Sequence, residues 1–217
     1  MTVEGLTWWA DGMTNLRGLY SQHGEEARAR AAAHGQVYAG RRAAMVFDVV
    51  ASRQRRYTQR VEPMVKKFAA TPEAESLASL AKHGPGKGYG LRAGEADTMQ
   101  QVAAGLTRYL DEHRMAEEDG VLSWATGATA FEHAPKLEPY VGSVNGMGPA
   151  LLGYLRMRSG ADAIKPDLRV RDGLNRLGFQ VPNDVHAILV VAHAASEALG
   201  VPLLVLDQLL WWTGGDG

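Results

Sequence analysis

The chain has 217 residues, of which 46% are hydrophobic and 22% are charged, and its formal net charge at pH 7 is −1. This length and balance are typical of a folded chain of one domain or two closely packed lobes, and they argue against a disordered protein. Because the sequence contains no cysteine, disulfides, thiolate zinc sites and cysteine-ligated iron–sulfur clusters are excluded.

The N-terminal sequence MTVEGLTWWADG lacks a basic region followed by an apolar core, so it does not resemble a secretion signal. The sequence also has no uncharged apolar run of about 18 residues, the length that spans a bilayer. We therefore expect a protein that is neither secreted nor membrane-spanning, and the cytoplasm is its simplest location.

Positive charge is concentrated in one part of this nearly neutral chain. Between residues 41 and 67 lie six arginines and two lysines: Arg41, Arg42, Arg53, Arg55, Arg56, Arg60, Lys66 and Lys67. Such a run is either a solvated helix face or a surface that binds an anionic partner.

The first forty residues predict a helical but irregular segment. Its apolar face is patchy and is interrupted by Gly12, Gly18 and Gly24. The adjacent tryptophans Trp8 and Trp9 either pack in a core or offer a stacking platform for a ligand.

From Arg41 onward the pattern predicts short amphipathic helices joined by short corners. The first helix ends in the polar and basic turn Ser52-Arg53-Gln54-Arg55-Arg56. A glycine-rich loop follows at residues 84–90. The charged residues 111–119 predict a surface excursion, and the pattern assigns no element to residues 124–139. The further helices predicted here lie around residues 61–68, 77–80 and 96–106.

Gly146-Met147-Gly148-Pro149 predicts a tight turn that leads into a helix. The early amides of a helix lack intrahelical acceptors and its dipole favours negative charge, so a phosphate can bind at such a start. An ordinary corner between helices has the same pattern. Another helix is predicted over residues 168–177, and Asp167 is a candidate for its N-cap.

Near the C-terminus, a helix is predicted from Pro182-Asn183 to Gly200. The apolar tail LLVLDQLLWWTGGDG predicts either a docking helix or a buried strand. His186 and His193 share a helix face, but without a third ligand nearby in sequence this spacing favours packing or solvent exposure over a metal site.

Taken in order, these elements resemble the helix-hairpin-helix superfamily of DNA glycosylases over roughly residues 41–178. The resemblance rests on a helix that ends in Ser52-Arg53-Gln54, a corner at Gly90-Leu91, the Gly146 hairpin and an aspartate 17 positions after Ala150. Within the superfamily, the sequence pattern is most similar to that of the branch that acts on alkylated purines. The residues similar to its pattern are Gly146-Met147-Gly148-Pro149, Tyr154, Met157-Arg158, Asp162-Ala163, Ile164 and Asp167-Leu168.

The resemblance implies a mostly α protein, a single unit over residues 1–217 in which two helical lobes enclose a DNA-binding cleft. The central lobe would span about residues 41–140. Residues 1–40 and 179–217 would pack together as the second lobe, and residues 144–178 would carry the hairpin and the catalytic aspartate. Asp167 is the implied catalytic carboxylate, because breaking an N-glycosidic bond builds positive charge on the sugar.

The resemblance also implies how double-stranded DNA is held. The hairpin of Asn145, Gly146, Met147 and Gly148 would grip phosphate through backbone amides, often with a monovalent cation at its carbonyls. No other cofactor is implied. The corner from Ser52 to Arg56 would insert into the duplex with Gln54 as the wedge, and the arginine cluster would contact phosphates.

Ala150 departs from the family in two ways. Relatives that also cut the strand have a Schiff-base lysine at this position, so Ala150 predicts a monofunctional hydrolase that leaves an abasic site. The alkylated-purine branch typically has a tryptophan there that stacks on the flipped base. Either another aromatic such as Trp8, Trp9 or Trp124 holds the base, or the pocket is enlarged for a bulky modified base such as those of some phage DNAs.

The sequence therefore predicts a monomeric, nucleoid-associated DNA glycosylase that acts on an alkylated purine or a bulky modified base, in repair or in defence against foreign DNA. One alternative is a non-catalytic helix-hairpin-helix protein that binds DNA or senses lesions. Another is an unrelated helical interaction protein in which the hairpin is a plain corner.

Overall fold

The computed structural model describes residues 2–213, and all regular structure in that range is helical. The prediction of a mostly α protein is therefore confirmed. The α-helices of the described range are α1 (Trp9–His34), α2 (Arg42–Ala51), α3 (Glu62–Phe68), α4 (Leu77–His83), α5 (Glu95–His113), α6 (Glu117–Gly127), α7 (Pro149–Arg158), α8 (Leu168–Arg176), α9 (Val185–Leu199) and α10 (Leu203–Leu209).

The chain forms two compact units. The terminal unit contains the described residues up to His34 together with those from Asp162 onward, and the central unit contains Gly35–Ala161. Residues 144–178, which we expected to act as one segment, are divided between the units. The hairpin and α7 belong to the central unit, whereas Asp167 and α8 belong to the terminal unit.

In the terminal unit, α1 is one continuous helix of 26 residues that includes Gly12, Gly18 and Gly24, so it is more regular than the sequence pattern predicted. Each glycine within a helix lowers its stability by about 1 kcal/mol relative to alanine. Packing of α1 along α10 offsets this loss. Gly12 also has a packing role, because a Cβ there would lie 2.8 Å from the ring of Phe179.

The tail forms a helix rather than a strand as far as it is described, and its last four residues lie outside the described range. Helix α10 is buried throughout, and the carboxylate of Asp162 accepts a hydrogen bond of 2.9 Å from the amide of Leu204 in its first turn. Before it, α9 ends at Gly200 with a φ of 72°, as predicted from the glycine. Asp184 caps the start of α9 by accepting from the amide of Ala187.

In the central unit, every residue of α2 is buried, and α5 packs against α2, α4 and α6. The helices predicted around residues 61–68, 77–80 and 96–106 are confirmed as α3, α4 and α5. Residues 111–119 lie at the surface as predicted, since none of them is buried, but most of them are helical, because α5 continues to His113 and α6 begins at Glu117. Three acidic residues in the first turn of α6 suit the positive end of the helix dipole.

Among the described residues, no single helix is long and apolar enough to cross a membrane. Val185–Leu199 and Leu203–Thr213 reach the required length and composition only as a pair, and that pair is bent by 99°.

Replacing two glycines of α1 by alanine should change the free energy of unfolding in opposite directions. Gly12→Ala should lower the free energy of unfolding by about 1–3 kcal/mol, because the new methyl group overlaps the Phe179 ring. Gly18→Ala should raise it by about 0.5–1 kcal/mol, since a Cβ at Gly18 meets no atom within 4 Å. Urea unfolding of both variants checks the packing role, and equal effects would contradict it.

Candidate nucleic-acid interface

The turn that follows α2 exposes Gln54 in an unusual backbone conformation. Gln54 has a φ of 51°, in the left-handed region that costs a residue with a side chain roughly 1–2 kcal/mol. Ser52 lies at the end of α2, and its hydroxyl donates to the carbonyl of Val49 over 2.7 Å. Arg53 and Arg56 are exposed on either side of Gln54. The neighbouring structure must therefore hold Gln54 in place.

The side chains of Arg92 and Arg55 stabilise this turn through hydrogen bonds and an ion pair. The guanidinium of Arg92 donates to the carbonyls of Arg53 and Gln54, each over 3.1 Å. Arg55 forms a bidentate ion pair with the buried carboxylate of Glu95, with distances of 2.8 and 2.7 Å. Glu95 also accepts from the amide of Arg92 over 2.7 Å. Arg55 was predicted to contact DNA, but in this structure its charge is neutralised by the ion pair with Glu95.

Beside the turn lies an open groove of about 710 Å³. Its described lining includes four arginines and no carboxylate, so the local field favours an anion. The lining residues are Gln54, Arg55, Arg56, Gln59, Arg60, Pro63, Met64, Tyr89, Gly90 and Arg92. Arg56, Arg60 and Arg92 leave this groove positively charged, since Arg55 is neutralised by Glu95.

The predicted hairpin lies next to the same turn. Gly146 has a φ of 89°, and a Cβ there would lie 2.6 Å from the hydroxyl of Thr98 and 3.6 Å from Nη1 of Arg53. Only glycine fits this position. The hydroxyl of Thr98 donates to the carbonyl of Asn145 over 2.9 Å, which ties the hairpin to α5. Sequence positions about ninety residues apart are thus brought together.

The hairpin leads directly into α7, with Pro149 in the first turn. Gly148 occupies the N-cap with extended backbone (φ −107°) and no side chain to cap the first amides. Met147 is buried and anchors the hairpin, whereas Asn145 is exposed. Ala150 is half-buried in the first turn. The uncapped amides of this turn are suited to an anion.

On its N-terminal side, the hairpin follows a short 3-10 turn, Pro135–Leu137, rather than an α-helix. Directly after this turn, the buried carboxylate of Glu138 accepts hydrogen bonds from the amides of Val141 and Gly142 over 2.6 and 2.7 Å and so stabilises the turn that leads to the hairpin. The indole of Trp124 donates to the same carboxylate over 3.1 Å. Trp124 is only 2% exposed, so it is a core residue and not the predicted wall of a base pocket.

Two carbonyls at the start of the hairpin region accept hydrogen bonds from side chains of the central unit. The ammonium of Lys136 donates to the carbonyl of Val144 over 2.8 Å, and the carbonyl of Asn145 is taken by Thr98. An ammonium from the chain itself therefore supplies positive charge at this position. Across residues 2–213, no group of three or more histidine, aspartate or glutamate side chains is placed to hold a metal ion.

In the terminal unit, Asp167 is the N-cap of α8. Its Oδ1 accepts from the amides of Arg169 and Val170 over 3.0 and 3.2 Å. Its Oδ2 lies 3.4 Å from the ammonium of Lys165, and 26% of the side chain is exposed. One oxygen is therefore held by the amides of the helix, and the other lies near the ammonium of Lys165.

A second carboxylate, that of Asp207, lies close enough to Asp167 to interact with its charge. Asp207 is fully buried and binds the guanidinium of Arg169 with both oxygens, over 3.2 and 3.1 Å. Burial raises the pKa of Asp207, Arg169 lowers it, and the negative charge of Asp167 raises it further. Asp207 was not predicted as a site residue, although an aspartate within the apolar run LLVLDQLL is unusual and visible in the sequence.

Trp8 and Trp9 form an aromatic cluster with Phe179 in the terminal unit. Their ring centroids lie 5.9 and 5.6 Å from that of Phe179, in edge-on arrangements. Trp9 is buried and Trp8 half-buried. The cluster accounts for the adjacent tryptophans as packing residues.

A buried polar network in the central unit was also missed. Asp48, the one charged residue in the interior of α2, accepts from the hydroxyls of Tyr57 and Tyr154 over 3.3 and 3.2 Å and lies 3.4 Å from Nε of Arg158. Burial raises the pKa of Asp48, and Arg158 opposes the shift. Tyr154 and Arg158, two of the family-like residues, thus have a structural use in locking α7 to α2.

Comparisons with models of known protein families, with curated proteins and with solved structures found no match. The likeness to helix-hairpin-helix glycosylases therefore rests on the residues and motifs alone.

Neighbouring arginines of the turn should differ in their effect on stability. Arg55→Ala should lower the free energy of unfolding by about 3 kcal/mol or more, because Glu95 is left buried without its partner. Arg56→Ala should change it by less than about 0.5 kcal/mol, since Arg56 is exposed. Urea unfolding compares the two, and a stable Arg55→Ala variant would contradict the anchoring role.

Proposed function

We propose that the protein is a monofunctional DNA glycosylase that flips a damaged or modified base out of duplex DNA and hydrolyses its glycosidic bond. The observation that carries this proposal is the placement of the Gln54 turn beside the Gly146 hairpin on one face of the central unit. A duplex-entering turn and a phosphate-binding hairpin are the two parts that base flipping requires.

Backbone phosphates are the ligands we assign to the hairpin and the groove. The first-turn amides of α7 receive one phosphate, with Arg53 alongside the hairpin. Arg56, Arg60 and Arg92 in the groove contact others. These contacts carry no sequence information, which suits an enzyme that searches DNA for a rare base.

Gln54 acts as the wedge. Removing a nucleotide from the stack leaves a gap that must be filled, or the nucleotide returns. The two hydrogen bonds from Arg92 and the Arg55–Glu95 pair stiffen the Gln54 backbone before DNA arrives. A stiff wedge loses little conformational entropy on insertion.

Asp167 carries the chemistry. Departure of the base leaves positive charge on the sugar, and a carboxylate near the anomeric carbon stabilises that charge and orients a water. The amides of Arg169 and Val170 fix the carboxylate through Oδ1, so Oδ2 is the oxygen assigned to the sugar or the water. The proposal requires the hairpin of the central unit and Asp167 of the terminal unit to act on the same duplex.

Ala150 supports hydrolysis without strand cutting, because an alanine cannot form a Schiff base. The substrate is an alkylated purine or a bulkier modified base, and the small side chain at position 150 suits the larger of the two.

A non-catalytic DNA-binding protein is the second candidate. It is favoured by one observation: the turn, the groove and the hairpin all belong to the central unit, without Asp167. On this alternative the protein binds DNA in a salt-sensitive manner and releases no base from any substrate.

Asp167→Asn should abolish base release while DNA affinity stays within about threefold of wild type. Asparagine caps a helix about as well as aspartate, so α8 should keep its start and the fold its stability. Mass spectrometry of bases released from genomic DNAs of varied modification provides the assay and names the substrate. An Asn variant with full activity would remove Asp167 from the mechanism, and no release by wild type from any DNA would favour the non-catalytic candidate.

Gly148→Asp should separate stability from DNA binding. A Cβ at Gly148 meets no atom within 4 Å, and aspartate is a preferred N-cap, so the variant should be at least as stable as wild type. The new carboxylate would occupy the first-turn amides of α7 and repel phosphate, so DNA affinity should fall at least tenfold. Fluorescence anisotropy with labelled duplex measures this at fixed salt.

The control for that experiment is Gly127→Asp, which adds the same charge at another position with open space around the Cβ. If both variants lose the same affinity, net charge explains the loss and the hairpin has no special role.

A further inference from the structure

Lys165 lies directly beside the proposed catalytic carboxylate, within the terminal unit. Its ammonium is 3.4 Å from Oδ2 of Asp167, the oxygen assigned to the sugar or the water. The two side chains are 22% and 26% exposed, so neither is fully buried. Lys165 was not predicted as a site residue. A proton donor and a carboxylate thus occupy one place at the start of α8.

The backbone between these two residues forms a tight turn. The amide of Asp167 donates to the carbonyl of Lys165 over 2.8 Å, which closes a turn around the buried Pro166. Proline suits the centre of such a turn, because its ring holds φ at about −65°. The amide of Lys165 donates to Oδ1 of the buried Asp207 over 3.5 Å. The lysine and the aspartate are therefore carried by one turn, which is attached to α10.

The charges around Asp167 cancel in pairs. Lys165 faces Asp167, and the guanidinium of Arg169 is bound by Asp207 over 3.1 Å. Because these four side chains sum to zero charge, they provide no net attraction for a base that is already positive. In duplex DNA, 7-methylguanine is such a base, and it leaves the sugar as a neutral molecule without taking up a proton.

We propose that Lys165 is the general acid that protonates the departing base, and that the substrate is therefore a modified base that is uncharged in DNA. This assignment rests on the proposed function and chooses between the substrates that it leaves open. An uncharged base would leave as an anion unless it gains a proton, and a positioned donor lowers that barrier. The ammonium of Lys165 carries the proton that this step requires.

Proton transfer from Lys165 also strengthens Asp167 at the right moment. As the glycosidic C–N bond breaks, its electron pair goes to the base nitrogen, and Nζ gives a proton to a ring nitrogen or carbonyl oxygen of the base. Lys165 becomes neutral, so the charge of Asp167 is no longer compensated when positive charge develops on the sugar. With a cationic base no proton is transferred, and the ammonium continues to oppose that charge.

The remaining step returns the pair to its starting state. Water bonds to the anomeric carbon of the sugar and loses a proton to Asp167. The amine of Lys165, 3.4 Å away, takes this proton and becomes an ammonium again. The net reaction is hydrolysis, with one hydrogen of the water on the free base and the hydroxyl group on the sugar.

The test measures single-turnover base release from duplexes of one sequence that contain 7-methylguanine, ethenoadenine or glucosylated hydroxymethylcytosine. The first base is cationic and the other two are uncharged. For at least one uncharged base, the enhancement over spontaneous release should exceed that for 7-methylguanine by about tenfold or more. Release of 7-methylguanine alone would overturn the assignment of Lys165 and leave the glycosylase proposal intact, whereas no release of any base would overturn both.

Two substitutions of Lys165 separate acid catalysis from a structural ion pair. Lys165→Gln should slow release of the uncharged base by about a hundredfold or more, and it should speed release of 7-methylguanine by removing the opposing charge. Lys165→Arg keeps a positive charge beside Asp167, but a guanidinium does not give up its proton near neutral pH. It should therefore be as slow as Lys165→Gln on the uncharged base.

The matched control is Lys82→Gln, which removes an exposed lysine from the last turn of α4 in the central unit. It should change neither rate. Wild-type rates in Lys165→Arg would show that only the ion pair matters and would overturn the acid assignment. Equal effects of Lys165→Gln on the cationic and uncharged bases would overturn it as well, and both results would leave the glycosylase proposal intact.

Discussion

The first turn of α5 holds both loops of the proposed DNA surface. Glu95 pairs with Arg55 and so fixes the turn that exposes Gln54. Thr98, three residues further along α5, holds the hairpin by donating a hydrogen bond to the carbonyl of Asn145. Residues three apart on a helix share a face. The spacing between the two loops is therefore set by α5, which is itself packed between α2, α4 and α6.

The two units divide the proposed work. The central unit contains the positive groove, the turn and the hairpin, which on the proposed function contact the DNA backbone. The terminal unit contains Asp167, Asp207 and Arg169, and on the proposed function Asp167 acts on the sugar. Each set is held by contacts within its own unit. Loss of one function by mutation should therefore leave the other set folded.

Local sequence signals predicted most of the fold. Helical periodicity gave α2 to α5, and the glycines at positions 146 and 200 marked turns that do adopt positive φ. The prediction of an irregular first helix was wrong, since α1 is continuous and packs along α10 despite its three glycines. Contacts between distant residues, such as Arg55 with Glu95 or Arg169 with Asp207, were also missed, because a pairing across about forty residues leaves no periodic trace in one sequence. Asp48 and Asp207 were visible as charges in apolar helices, but only the structure supplies their partners.

The ammonium of Lys136 donates a hydrogen bond to the carbonyl of Val144, so the chain itself places a positive charge directly before the hairpin. A metal ion at such a position would exchange with solution, and its occupancy would follow the concentration and radius of the available ions. A tethered ammonium is always present at the same effective concentration. The positive charge at the carbonyl of Val144 therefore does not depend on the concentration of potassium or sodium in the cell. On the proposed function, salt then weakens DNA binding by competing for phosphate.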